Sequence, residues 1–491
     1  MILVKKRKLV RTEIGKQYST NSQATANNAS NAEQMIRDLK KHTNKVKDVI
    51  FKEVPTSEGI VTVIYSQPLI EKMVLQVMIL MPLANYVHQI HQVAEKLDIT
   101  DLEGATTKIL SGHTVMFFKD SNLLLSVDTY TPPVRAVTTS ESETTIIGPQ
   151  DALSESLETN VSLVKRRIKN DNLKNEGRTI GSETKTAISI MYMDDIVNKE
   201  DLDLLKSRLD KLNDPSYYDI SVLSQQLEDN PLSPFPQYYL TVRPDTISYF
   251  LLDGRVVVLM DNSQEAIVCP TSFFEMFTSM EDYYYKWTTA TLLRILRFFG
   301  FFLTIIITPT YISTMSFQQE ILPYELLLNL QESRAKVPFP PLIEVLIIEL
   351  LIEVLREAGS RMPAKIGQTL GIVGGIVIGT AAVEAGLISN ILIVLVAASA
   401  LLSFLSPTIL MSNTSRLVRY IFIFSAGLFG LYGQMLAFAW LIAHLLRIES
   451  LGTAYVAPVI PRKATDLLNS VIRFPKAFLK EKMGISRSTK K

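Results

Sequence analysis

The chain has 491 residues with almost balanced charge, since 50 Lys and Arg stand against 49 Asp and Glu and the formal net charge is +1. This balance excludes a basic footprint for nucleic acid, and a single cysteine, Cys269, excludes an intrachain disulfide and a cysteine-cluster metal site. Hydrophobic residues make up 47% of the chain and the mean hydropathy is +0.18, values that predict several domains and a membrane-embedded part.

Residues 1–45 begin with a basic cluster and continue as a stretch poor in large apolar side chains. We interpret this stretch as a flexible polar extension. It contains no apolar core of the kind that a secretory signal has, so we expect the following residues, up to the first apolar run, to remain on the cytoplasmic side.

Two blocks of similar pattern follow, and each contains a strand, a helix and a hairpin. In the first block, the strand GIVTVIYSQ (59–67) precedes a hairpin that turns at 120–122; in the second, KTAISIMYMDDIV (185–197) precedes a hairpin that turns at 261–263. The repeated order predicts two related α/β subdomains, at 46–133 and 134–290, with 134–150 as the joining segment. The predicted fold class is therefore α+β and multi-domain, with a two-subdomain α/β cytoplasmic half followed by an all-α transmembrane bundle.

Four runs without Asp, Glu, Lys or Arg occupy the second half and predict a transmembrane helical domain at 291–446. Each run is long enough to cross about 30 Å of hydrocarbon. The basic tail, 447–491, is expected in the cytoplasm, and two cytoplasmic ends require an even number of crossings. We therefore predict four spans, with an acidic amphipathic helix at 342–357 lying in the interface or dipping into the bilayer; the spans are 296–317, 366–383, 387–409 and 420–444. Arg416 and Arg419 would then lie outside, against the positive-inside rule, so a five-helix arrangement with a re-entrant segment stays open.

The acidic helix carries the residues that are most suited to a functional role. At 100° per residue, Glu349, Glu353 and Glu357 lie within 80° of one another, with Arg356 on the same stripe, whereas Glu344 points about 140° away from Glu349. A charge at membrane depth costs at least about 2.5–3.5 kcal/mol, so these carboxylates need water, protein or each other. Either the stripe is a solvated interfacial face, or several subunits arrange it around an axis as rings of carboxylates that attract cations. Arg356 is expected to offset part of the negative charge.

The spacing of several glycines lets membrane helices approach closely, and we predict helix packing at Gly367, Gly371, Gly375 and Gly379. The triple Gly427, Gly430 and Gly433 is interpreted in the same way. The five histidines do not combine with acids or Cys269 at ligand spacing, and phosphate-binding, dinucleotide-binding and hydrolase motifs do not occur. The sequence therefore predicts no metal, no cofactor and no enzymatic activity.

Several long motifs are specific enough to identify a family. They include LEDNPLSPFPQ (227–237), MEDYYYKW (280–287) and the run from VPFPPLIEVLIIELLIEVLREAGSRMP onward (337–379). Over residues 46–475 the chain closely resembles the A subunits of the GerA family of spore germinant receptors.

The resemblance implies a receptor subunit in the spore inner membrane, with the N-terminal half and the tail on the cytoplasmic (core) side. Its implied partners are a transporter-like, nutrient-sensing B subunit and a lipoprotein C subunit, together with membrane lipid. It also implies a homo-oligomeric ring of A subunits, for which five copies are expected, that forms a ligand-gated channel for monovalent cations and triggers germination. The alternative is a membrane scaffold or signalling subunit that does not itself conduct ions.

Overall fold

The computed structural model describes residues 37, 39–40, 48–131 apart from 58, 100 and 122, 143–361, 379–460, 470 and 472–475. Several predicted features lie outside these residues. They are most of the polar extension, part of the joining segment, most of the predicted span 366–383, three of the predicted packing glycines (Gly367, Gly371 and Gly375), and most of the C-terminal tail.

The first subdomain is a five-stranded antiparallel sheet with helices packed on it. Its strands are β1 (Val49–Thr56), β2 (Gly59–Ser66), β3 (Glu95–Leu97), β4 (His113–Phe118) and β5 (Leu123–Asp128), in the order β1-β2-β4-β5-β3. Its helices are α1 (Lys72–Leu75), continued through a π turn at Gln76–Leu80 into α2 (Met81–Asn85), then α3 (Val87–Val93) and α4 (Leu102–Leu110).

The second subdomain repeats this topology. Its strands are β6 (Leu173–Ile180), β7 (Thr186–Met193), β8 (Tyr239–Thr241), β9 (Val256–Met260) and β10 (Ala266–Cys269), in the order β6-β7-β9-β10-β8. Its helices are α5 (Leu157–Arg167), α6 (Lys199–Asp210), α7 (Ile220–Leu227) and α8 (Pro244–Leu252). The sheet order is the same in both subdomains, which confirms the predicted fold class, and the hairpins β4–β5 and β9–β10 form where the turn residues predicted them.

The elements of the second subdomain follow from local chemistry. Helix α6 begins at a cap, where the Asn198 side chain accepts a hydrogen bond from the Glu200 N–H, and acids in its first turn complement the helix dipole. Every residue of β9 is buried because the strand lies inside the sheet between β7 and β10, with helices on both faces.

The second half of the chain is helical. Its helices are α9 (Trp287–Ser316), α10 (Tyr324–Arg334), α11 (Pro341–Ser360), α12 (Gly379–Glu384), α13 (Asn390–Ser403) and α14 (Ile409–Arg447). Among the described residues, α9 and α14 are long and apolar enough to cross a membrane. Helix α13 has 14 residues, about 21 Å, so the predicted span 387–409 is longer than the helix that forms.

Helix α14 is a hairpin rather than one straight rod, so the segment predicted as a span at 420–444 contains a turn. Gly430 has φ 60° and ψ −141°, which is not helical. Thr414 and His444, about 45 Å apart along a straight helix, instead contact the neighbouring residues Pro234 and Ser233. The arm that precedes Gly430 therefore folds back against the arm that follows it, because glycine allows a backbone turn that other residues resist.

The segment after α14 returns to the second subdomain and completes its core. Leu451 and Tyr455 are fully buried there, the Tyr455 hydroxyl donates to the Pro236 carbonyl oxygen, and the Phe273 N–H donates to the Tyr455 carbonyl oxygen. The tail predicted from residue 447 thus begins as part of the folded core, because its apolar side chains fill a space that the soluble half leaves open.

Candidate functional site

Helix α11, the carboxylate helix, turns its acidic stripe from the interior to the surface. Residues four apart advance 40° beyond a full turn, so the direction in which the acids point rotates gradually along the helix. The side chains of Glu349, Glu353 and Glu357 are 1%, 38% and 62% exposed, respectively. The acidic stripe is therefore a gradient from a buried to an exposed carboxylate.

Glu349 lies at a junction of four helices. The Arg419 Nη2 atom of α14 is 2.8 Å from its Oε2 atom, and the Thr308 hydroxyl of α9 donates to its Oε1 atom over 3.2 Å. The guanidinium is not aligned for a hydrogen bond to Oε2, so this contact is an ion pair rather than a charge-assisted hydrogen bond. Arg419 also donates to Ser399 of α13 over 2.8 Å. The pair therefore ties the carboxylate helix to its neighbours.

Glu353 pairs with Arg416, one helical turn before Arg419 on α14. The two acids are four residues apart on α11 and the two arginines are three apart on α14, so the helices meet along a short ladder of opposite charges. The ladder compensates the charges of these two acids at membrane depth, because each acid has a cationic partner from another helix.

Arg356 contacts an aromatic ring and a hydroxyl group on neighbouring segments. Its guanidinium carbon is 4.5 Å from the centroid of the Phe404 ring, and its Nη2 atom donates to the Ser412 hydroxyl over 3.3 Å. Arg416 and Arg419 form the ion pairs with Glu353 and Glu349. Arg356 attaches the carboxylate helix to Phe404, which follows α13, and to the first turn of α14, and the partial charge offset expected of it stays a prediction.

Glu344 is also buried, although sequence analysis placed it on a separate face. Its carboxylate accepts a hydrogen bond from the Ser389 N–H over 2.7 Å and from the Arg334 Nε–H over 3.2 Å, and the Tyr311 hydroxyl donates over 3.3 Å. This environment fixes the first turn of the carboxylate helix. A substitution of Glu344 would therefore disturb this buried environment, and it is not a suitable control for substitutions in the acidic stripe.

Glu357 is the exposed end of the stripe. It pairs with Arg361 four residues later, with 2.6 Å between the charged atoms, and both side chains are largely exposed. An exposed i,i+4 pair contributes little to stability, about 0.3–0.5 kcal/mol. The Glu357 carboxylate is therefore accessible to water and ions at this face of the helix.

Close helix contacts form at Gly427 and Gly433, two of the α14 glycines at which the spacing predicts packing. A Cβ added to Gly379, the first residue of α12, would meet no described atom within 4 Å, so the predicted packing at this position is not seen within the described part of the chain. A Cβ on Gly427 of α14 would lie 2.7 Å from the Leu342 side chain. One on Gly433 would overlap the Ser425 carbonyl oxygen, so α14 carries the close approaches.

The remaining predicted packing positions all precede α12. They lie outside the described residues: Gly367, Gly371 and Gly375. Packing at these three glycines stays a prediction that rests on their four-residue spacing.

Sequence reasoning missed the three arginines that pair with the buried and half-buried acids: Arg334, Arg416 and Arg419. Two of them gave a signal, since Arg416 and Arg419 disagreed with the positive-inside rule. Their spacing, close to that of Glu349 and Glu353, could have identified them as partners. No group of three or more residues suited to hold a metal ion occurs among the residues that the structure describes.

Comparison with known proteins assigns the chain to a family. The family described as Bacillus/Clostridium GerA spore germination protein matches residues 37–484. Spore germination protein GerQA of Bacillus cereus is 38% identical, covering 93% of this chain and 93% of its own length. Spore germination protein KA of Bacillus subtilis (strain 168) is 33% identical, covering 90% and 84%, and spore germination protein A1 of the same strain is 37% identical, covering 78% and 81%.

The chain is also similar to a solved structure. It is the N-terminal domain of the A subunit of the Bacillus megaterium spore germinant receptor GerK3, with 23% identity and a TM-score of 0.38, covering 48% of this chain and 94% of that one. The breadth of the family match and the identities of the full-length relatives show that this chain belongs to the GerA family of spore germination proteins, as a germinant receptor A subunit.

Proposed function

We propose that copies of this chain assemble into a ring that forms a ligand-gated channel for monovalent cations in the spore inner membrane. The chain would act there with a nutrient-sensing B subunit and a lipoprotein C subunit, with its soluble half on the core side, and with no enzymatic step. Two helices of membrane-spanning length support the membrane location. The return of the chain to the soluble half after α14 supports an arrangement with both ends of the helical region on one side.

The surface of the carboxylate helix is the observation that carries this proposal. Its exposed face is a row of apolar residues at alternating spacings of four and three, Ile343, Ile347, Leu350 and Val354, and Glu357 continues the row. This is the 3.5-residue period at which helices associate side by side. Copies of the helix around an axis would present rings of apolar side chains that end in a ring of carboxylates.

The burial gradient divides the predicted ion-path residues into two roles. We assign Glu357 and the half-exposed Glu353 to the ion path, because water and ions reach exposed carboxylates. Glu349 is assigned to holding the helix in place, because its charge is matched inside the protein by Arg419.

Cation flux into vesicles that contain the purified chain alone tests this proposal. Glu357→Gln should lower the flux, and the loss should be larger at about 0.01 M salt, where the screening length is about 30 Å, than at about 0.1 M, where it is about 10 Å. Glu325→Gln is the matched control, since Glu325 is an exposed acid on α10 rather than on the carboxylate helix.

The scaffold function remains the second candidate, and the charge ladder is the observation that favours it. If the chain serves only as a scaffold, in which the charge ladder attaches α11 to α14, the purified chain should give no cation flux above empty vesicles. Flux that is present but equal in Glu357→Gln, Glu325→Gln and the unmodified chain would remove Glu357 from the ion path.

A further inference from the structure

The loop 230–237, hereafter the proline loop, has a fixed shape. The Asn230 N–H donates to the Gln237 Oε1 atom over 2.9 Å, and the Gln237 Nε2 atom donates back to the Asn230 carbonyl oxygen over 2.7 Å. The Ser233 N–H donates to the same carbonyl oxygen over 3.0 Å. Prolines at 231, 234 and 236 restrict the backbone further. The tip of the loop is therefore held in one conformation by its own base.

The proline loop docks on three helical segments. The Ser233 hydroxyl lies 2.9 Å from the His444 Nε2 atom on the second arm of α14, and the Thr414 hydroxyl on the first arm donates to the Pro234 carbonyl oxygen over 2.6 Å. The buried Phe235 ring lies 6.5 Å from the Phe301 ring of α9. These contacts fix the level of the loop along the helical bundle.

That level lies within the apolar zone of the bundle. The exposed apolar stripe of α9 begins at Leu292 and continues through Leu296, Phe299 and Leu303. Phe301 is nine residues beyond Leu292, about 13 Å along the helix. On α14, Trp440 is 41% exposed and stacks on His444 with 5.3 Å between ring centroids, and tryptophan is typical of the membrane–water interface.

Leu232 is the residue that this loop presents outward. Its side chain is 99% exposed, more than any other large hydrophobic side chain among the described residues. The nearest acids in the sequence, Glu228 and Asp229, precede the loop, and Asp229 is paired with Arg208. A fixed loop thus projects an uncharged tip at the level where the neighbouring helices expose apolar and aromatic side chains.

From this geometry we infer that Leu232 inserts into the boundary between lipid headgroups and acyl chains, so that the proline loop anchors the soluble half on the bilayer surface. The occupant is lipid rather than a protein partner, because α9 and α14 expose apolar and aromatic side chains at the same level. The inference depends on membrane insertion of the helices and is independent of ion conduction.

A fluorescent label at Leu232→Cys in the full chain tests this inference. The native Cys269 is fully buried, so a thiol-reactive bimane label attaches at the introduced cysteine, and a fully exposed site tolerates the change. The labelled chain is reconstituted in vesicles of phosphatidylglycerol and phosphatidylethanolamine. Quenching is compared between lipids that carry a nitroxide near the headgroup and iodide in the water.

The control is Val93→Cys, which is 75% exposed at the end of α3 in the first subdomain. The label at residue 232 should be quenched at least twofold more by the nitroxide lipid than the label at residue 93, and correspondingly less by iodide. Equal quenching by iodide at both positions would overturn the inference. Protection of residue 232 from both quenchers would also overturn it, because a second copy of the chain would then cover the loop.

Discussion

Replacing Arg419 with methionine would leave the Glu349 carboxylate without its cation. The two side chains are 3% and 1% exposed, so neither charge gains much from water. Breaking a buried ion pair by removing one partner costs about 3–5 kcal/mol, because the remaining charge is uncompensated. This cost corresponds to a decrease of about a hundredfold or more in the ratio of folded to unfolded protein. We therefore expect Arg419→Met to be strongly destabilised.

The double variant Glu349→Leu/Arg419→Met separates the charge from the packing. Replacement of both members of a buried pair by apolar residues is often neutral or stabilising, since the desolvation cost is removed together with the attraction. The double variant should therefore recover most of the stability that Arg419→Met loses. The assay is the temperature at which half of the full-length protein disappears from its monodisperse peak in detergent after heating.

Arg361→Met is the matched control, because Arg361 forms the exposed pair with Glu357 on the same helix. Exposed pairs contribute about 0–1 kcal/mol, so its transition temperature should stay close to that of the unmodified chain. The reasoning is refuted if Arg419→Met and Arg361→Met behave alike, or if the double variant is as unstable as Arg419→Met. Either result would mean that the buried pair does not fix the carboxylate helix.

Two further predictions concern the fold. Gly430→Ala should lower the same transition temperature, because a side chain in this glycine-type conformation costs about 1–3 kcal/mol and would also meet Gln318. Gly379→Ala is the control and should have little effect, since no described atom lies near its Cβ position. An expressed fragment 46–285 should melt at a lower temperature than the same fragment joined by a flexible linker to residues 448–460, because Tyr455 fills the core of the second subdomain. Equal melting temperatures would show that the returning segment is dispensable.

The topology of the soluble half was largely predictable. The alternating patterns and turn residues identified β2, β7 and both hairpins, because strand periodicity and turn chemistry are local properties. The repeated order of these elements also predicted the two related sheets. The four edge strands, β1, β3, β6 and β8, were not predicted. Strands β3 and β8 have three residues each, too few to carry a readable period, and they pair with a strand that lies elsewhere in the sequence.

The sequence by itself determined the carboxylate helix and the angular relation of its acids. The helix predicted at 342–357 forms at Pro341–Ser360, because spacing along the chain sets the angle between side chains about a helix axis. Spacing does not set which side of the helix meets the protein. Only the tertiary structure decided that Glu349 lies inside, that Glu357 lies outside, and that Arg416 and Arg419 meet the acids from more than sixty positions away. Those pairings depend on the packing of α11 against the first arm of α14, which brings helices remote in sequence within reach of each other's charges.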